Sequence, residues 1–180
     1  MQKNLTRVVG LFFASLVLLF TSMDYTVDAK QIIDENSSFE DIQKELEKYI
    51  INEDNKQKFD LDKAMEDGQS DFIIDIGKEF NDLSDNYAYY EDMEDFSPFA
   101  GVPVWGNWCG PGHGGGVPKD VLDSLCMGHD LCYAAKGYFN CTCDKALVAG
   151  ISASYGLMKP AEKKAANAIA LYFSVAPCKK

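Results

Sequence analysis

The chain has 180 residues, with 17 Lys and Arg against 28 Asp and Glu and a formal net charge of −11. So acidic a chain repels a polyphosphate backbone, which excludes nucleic acid as an expected partner, and its length excludes a large multidomain enzyme. With 47% hydrophobic and 12% aromatic residues, it has the composition of a folding chain rather than a disordered one.

The average charge hides a division. Residues 1–30 sum to +1, residues 31–96 carry 21 acids and six lysines for −15, and residues 97–180 carry eight lysines and five acids for +3. All six cysteines and 11 of the 14 glycines lie in the last part. Three segments are therefore expected: 1–29, 30–96 and 97–180.

Residues 1–29 read as a secretory signal. A basic stretch to Arg7 precedes the apolar run from Val8 to Phe20, and Val27 and Ala29 suit the −3 and −1 positions of a cleavage site. The run of 13 residues falls short of the roughly 20 that a membrane-spanning helix needs. The expected location is extracellular, and export makes the cysteines candidates for disulfides, with 15 pairings open.

Residues 30–96 form an acidic extension with amphipathic pieces. Ser38 followed by Asp41 resembles a capping box, and Phe39, Ile42, Leu46, Tyr49 and Ile50 share one face of the helix that follows. Phe72, Ile76, Phe80 and Leu83 recur at helical spacing, and the segment closes on an acidic run, Glu91 to Asp95. It reads as a solvated, partly helical extension, or as a propeptide covering the +3 part until removed. No Lys or Arg lies between Lys78 and Lys119, so a basic-site protease has no cut close to residue 96.

Residues 105–118 hold too much Gly and Pro for helix or strand. Such a loop offers backbone carbonyls to a hard cation or backbone amides to an anion. Phe96, Phe99, Val102, Val104, Trp105 and Trp108 crowd its approach, as ordinary core or as a lipid-facing patch beside Lys119, Lys136 and Lys145.

From Pro118, Lys119 to about Lys136 reads as a helix ended by Gly137. Leu122, Leu125, Cys126, His129, Cys132 and Tyr133 share its buried face, with Asp130 at the edge. A second helix begins near Cys141 and carries Asp144, Leu147, Val148, Ile151 and Tyr155 on one stripe. The short link between them predicts antiparallel packing. A disulfide from the first helix to Cys143 would bring Asp144 to His129, a base beside a carboxylate that orients it. Asn36 and Asn140 each begin a glycosylation pattern, the second cramped beside a cysteine and a helix start.

These residues resemble the secreted phospholipase A2 family. The match runs in order through Trp108-Cys109-Gly110-Pro111-Gly112, Pro118 to Asp123, Cys126-Met127-Gly128-His129-Asp130-Leu131-Cys132-Tyr133, and Cys141-Thr142-Cys143-Asp144. It covers residues 105–155 and nothing in 31–96. The resemblance implies a mainly α domain over 97–180: a disulfide-stapled pair of antiparallel helices with a glycine-rich calcium loop, preceded by the acidic extension. It implies Ca2+ on Asp130 and the carbonyls of Trp108, Gly110 and Gly112, with His129 activating water. Asp144 and Tyr133 would support His129, and the Gly110 amide would face the oxyanion. The implied activity is hydrolysis of the sn-2 ester of glycerophospholipids at a membrane surface. The implied bridges are Cys109 to Cys126 and Cys132 to Cys143, leaving Cys141 with Cys178.

Several features depart from the commoner pattern. Leu125 and Gly150 stand where many members carry a bridged cysteine pair. Only 15 residues separate His129 from Asp144, so the β-wing of many members is absent and a compact branch is implied. The loop is one residue longer, and His113 within it has no assigned role. No helix directly precedes the loop, so either the Phe72–Leu83 helix lines the acyl channel or the channel is open. Two other classes compete: a weak or inactive relative acting as a toxin or receptor-binding protein, and a zinc site on Cys126, His129, Cys132 and Cys143. Cys-His nucleophilic catalysis is disfavoured because oxidised cysteines are not nucleophiles.

Overall fold

The Ser38 hydroxyl accepts the Asp41 N–H at 3.1 Å and starts helix α1 (Phe39–Glu47). It does so in a computed structural model that describes residues 32–54, 56–91 and 101–180. The expected secretory signal, Phe96 and Phe99 lie outside the described residues. An antiparallel hairpin follows, β1 (Ile50–Glu53) with β2 (Lys56–Phe59), in the register that sets Ile50 opposite Phe59. Helix α2 (Leu61–Glu66) is capped by Asp60, and helix α3 (Asp71–Glu91) carries the Phe72 to Leu83 stripe expected from the spacing.

Beyond the glycine loop, Asp120 caps helix α4 (Val121–Lys136), which ends at Gly137. Asn140 caps helix α5 (Cys141–Ser154) through its amide oxygen, 3.0 Å from the Thr142 N–H. That use of the side chain argues against a glycan there, whereas Asn36 is exposed. After a 3-10 turn at Tyr155–Leu157, Pro160 opens helix α6 (Pro160–Val175). Among the described residues no helix is long and apolar enough to cross a membrane.

Helix α6 is the centre of the core. Ala165, Ala166, Ala168 and Ala170 are buried, and their small side chains let α1, α3 and α5 pack on it. Buried Asn167 knits this region: its amide nitrogen donates to the Tyr155 hydroxyl at 2.7 Å and its oxygen accepts from Gln43 of α1 at 2.8 Å. Buried Glu162 accepts the N–H groups of Leu122 (2.8 Å) and Lys159 (3.1 Å), tying the starts of α4 and α6 together.

The acidic segment is not a solvated appendage. Ile42, Leu46, Ile73, Ile76, Phe80 and Leu83 are at most 2% exposed and belong to a core shared with α6. Lys164 of α6 reaches back to Asp75 of α3 at 2.8 Å. Residues 32–180 form one compact unit, so the change of composition near residue 96 is not a break in packing.

The disulfides are Cys109–Cys126, Cys132–Cys143 and Cys141–Cys178. The first two are the pairings that the resemblance implied, and the third is the pair those two left over. Helices α4 and α5 pack on each other, and Leu125 lies over Gly150, where an added Cβ would come within 2.8 Å of Leu125 Cδ2. The two positions that lack cysteines are therefore neighbours across this contact.

Candidate active site

Helix α4 carries His129 on its buried face, 6% exposed, and α5 brings Asp144 to it. His129 Nε2 lies 2.9 Å from Asp144 Oδ1, and the Tyr133 hydroxyl donates to the same oxygen. An ionised carboxylate only accepts, so Nε2 carries a proton and Nδ1 is the ring nitrogen left to take another. Asp144 stands in the first turn of α5, where the helix dipole favours an anion. Burial, with the bond to Asp144, raises the Tyr133 phenol above its ordinary value, which keeps it a donor. The Cys132–Cys143 bridge pins α4 to α5 within three residues of His129 and one of Asp144.

Asp130 turns from the same helix toward the glycine loop. A Cβ on Gly114 would stand 3.0 Å from the Trp108 ring and 3.1 Å from Asp130 Oδ2, so loop, indole and carboxylate meet there. Burial pushes the Asp130 carboxyl up to about 7, and no protein donor among the described residues bonds to it. The carbonyls of Trp108 and Gly112 accept no hydrogen bond among the described residues, and that of Gly110 accepts only the His113 N–H at 3.2 Å. Gly101 packs against the Gly112 carbonyl and closes it on one side. The Asp130 carboxyl and the carbonyls of Trp108, Gly110 and Gly112 are all oxygen donors, the type a calcium ion would take. No group of three or more His, Cys, Asp or Glu side chains able to hold a metal occurs among the described residues. The zinc alternative also fails on its ligands, since Cys126, Cys132 and Cys143 are all in disulfides.

One site residue was not legible in the sequence. Asp123, fully buried, accepts the N–H groups of Asn107 (2.9 Å), Trp108 (2.7 Å) and Lys119 (2.8 Å). It thereby fixes the backbone that presents the Trp108 carbonyl. Gly106, at φ +61, passes so close that a Cβ would lie 2.3 Å from the Asp123 carboxyl carbon, so both its conformation and its position require glycine. The signal available was Asp123 three residues after the Asp120 cap, opposite a glycine loop whose amides need acceptors.

Part of the wall of the His129 site comes from the acidic segment. Leu83 and Tyr87 of α3, with Phe173 of α6, line the space at His129 and Asp130, and Phe173 meets the imidazole edge-on at 4.6 Å. That space is about 10 Å³, room for roughly one water. A larger cavity of about 390 Å³ lies between α3 and residues 102–104, lined by Glu79, Asp82 and Asp85. It contains neither His129 nor Asp144, so size and chemistry point to different places, and the convergent polar groups decide for His129. Trp105, Trp108 and Val104 are partly buried against the core, Val102 is 40% exposed, and Lys119, Lys136 and Lys145 are exposed.

The chain matches no family model, no curated protein and no solved structure.

Proposed function

We propose that this protein is an exported, calcium-dependent phospholipase A2, hydrolysing the sn-2 ester of glycerophospholipids at a membrane surface. The observation that carries this reading is the buried array of Tyr133, Asp144 and His129, one residue from a desolvated carboxylate facing carbonyl-rich loop backbone. His129 Nδ1 takes a proton from water as its oxygen attacks the ester carbonyl, and later returns it to the departing alcohol. Asp144 and Tyr133 hold the ring in the tautomer that leaves Nδ1 basic and balance the imidazolium that forms. The Gly110 N–H, unpartnered among the described residues, faces the developing oxyanion. Asp130 and the carbonyls of Trp108, Gly110 and Gly112 are the groups that would hold calcium. When bound there, calcium supplies charge stabilisation at the ester carbonyl. Three disulfides suit an oxidising, extracellular setting.

One observation favours a second reading, a catalytically weak or inactive relative that binds a receptor. The space at His129 admits a water but no acyl chain while Tyr87 and Leu83 close on it. The two readings separate in one assay on the disulfide-intact chain with phosphatidylcholine vesicles and millimolar calcium. The hydrolase reading predicts fatty acid release that a calcium chelator abolishes and that His129→Gln loses. Vesicle or protein binding without any release favours the binder.

A further inference from the structure

The chain has three Asn-x-Ser/Thr triplets, beginning at Asn4, Asn36 and Asn140, and the His129 site uses none of them. An N-linked oligosaccharide is bulky and hydrated, so its acceptor must keep its amide nitrogen in open solvent once the chain has folded. Asn4 falls in the expected leader. Asn140 is half-buried against the end of the chain: its oxygen caps α5, and the Cys141 N–H donates to the Lys179 carbonyl at 2.9 Å. Asn36 stands differently, exposed in the turn before α1. That turn is held without its side chain. The Ser37 N–H donates to the Asp34 carbonyl at 3.1 Å, the Asp34 N–H to the Ser37 hydroxyl at 3.0 Å, and the Asn36 N–H to Asp34 Oδ1 at 2.9 Å. The Asn36 carboxamide itself has no hydrogen-bond partner among the described residues.

We propose that Asn36 is the N-glycan acceptor of the exported chain, an assignment that rests on the export reading. Asn36 Nδ2 bonds to the anomeric carbon of an oligosaccharide carried on a polyprenyl pyrophosphate. The bond from that carbon to the pyrophosphate oxygen breaks, the amide gives up one proton, and the lipid pyrophosphate leaves. The glycan stands clear of the His129 site. The Ser70 hydroxyl donates to the Ile33 carbonyl at 2.6 Å, which sets the turn beside the start of α3, whereas Tyr87 near the other end of that helix walls the site. At a rise of about 1.5 Å per residue, Asp71 and Tyr87 stand about 24 Å apart along α3.

The test expresses the full chain in insect cells twice, once with its own residues 1–29 and once with a foreign leader in their place. Each translocated chain, secreted or retained, is weighed by mass spectrometry before and after peptide-N-glycosidase. The foreign-leader chain should lose the mass of one glycan, with Asn36 converted to aspartate. Asn36→Gln should abolish the loss. So should Ser38→Ala, whereas Ser38→Thr, which keeps both the hydroxyl and the cap on α1, should retain it. No glycan on Asn36 in the foreign-leader chain, or one on Asn140 instead, would overturn the proposal. A glycan with the foreign leader but none with the chain's own residues 1–29 upholds Asn36 as acceptor and overturns the export reading. Glycosylated and trimmed chains should release fatty acid at equal rates, and slower release by the glycosylated form would overturn the placement of the glycan away from His129.

Discussion

Asp130 holds its carboxylate against the loop with no protein donor, and burial raises it to about 7. The unfolded group titrates near about 3.9. Between those values the folded state keeps a proton that the unfolded state releases, so the cation-free protein loses stability as pH rises from about 4 to about 7. Above that window the full penalty remains. Asp130→Asn removes it: in chelator at pH 8 the variant is expected to melt higher than the native chain, with the gap closing toward pH 4. Calcium should raise the native Tm at pH 8 and leave that of Asp130→Asn unchanged, which scanning calorimetry can read. Substituting Asp123 should instead destabilise, because its carboxylate accepts three backbone N–H groups. Asp123→Ala strands those donors at about 1–3 kcal/mol each, so urea unfolding should show a loss of roughly 3 kcal/mol or more. His129, Asp144 and Tyr133 were legible because helical periodicity and a short link put them on facing stripes. Asp123 was not, because a helical carboxylate looks like surface charge until its backbone partners are known.

At the scale of elements, strongly amphipathic helices were legible and weakly patterned ones were not. α1, α3, α4 and α5 each show an apolar stripe or a cap in sequence. α6 is buried through small size, and its alanines carry too little apolar contrast to mark a face. The hairpin escapes notice for a different reason: its strands are mostly polar and are held from outside. Asn81 of α3 bonds both the N–H (2.7 Å) and the carbonyl (3.0 Å) of Phe59, and Ser84 donates to the Gln57 carbonyl at 2.6 Å. The disulfides close loops of different length. Cys141–Cys178 spans 37 residues and Cys132–Cys143 spans 11, so loop entropy assigns them roughly 4 and 3 kcal/mol. Replacing Cys141 and Cys178 by Ser should cost more in guanidinium unfolding. On the proposed hydrolase reading, replacing Cys132 and Cys143 should cost more in lipid hydrolysis, because that bridge joins the helices that carry His129 and Asp144.

For the whole molecule, the charge of −11 and the core tell different stories about residues 31–96. Composition set this segment apart, yet it supplies Ile42, Leu46, Ile73, Ile76, Phe80 and Leu83 to the common core and Leu83 and Tyr87 to the wall of the site. Charge patterning reports what faces water, whereas the buried minority of its side chains decides where it packs. Residues 97–180 expressed alone should therefore lack a cooperative thermal transition by circular dichroism, since α6 would expose the face that α1 and α3 cover. A folded, melting 97–180 fragment would restore the view of a removable covering segment. In the proposed function His129, oriented by Asp144, activates water against a lipid ester. Its most direct test is sn-2 fatty acid release from a mixed-chain phosphatidylcholine in calcium, comparing the native chain with a folded His129→Gln variant. Release of the sn-2 chain alone is expected, with a rate at least roughly a hundredfold lower in the variant, the scale of a lost general base. Equal rates in the two chains, or no release from the native one, would contradict it.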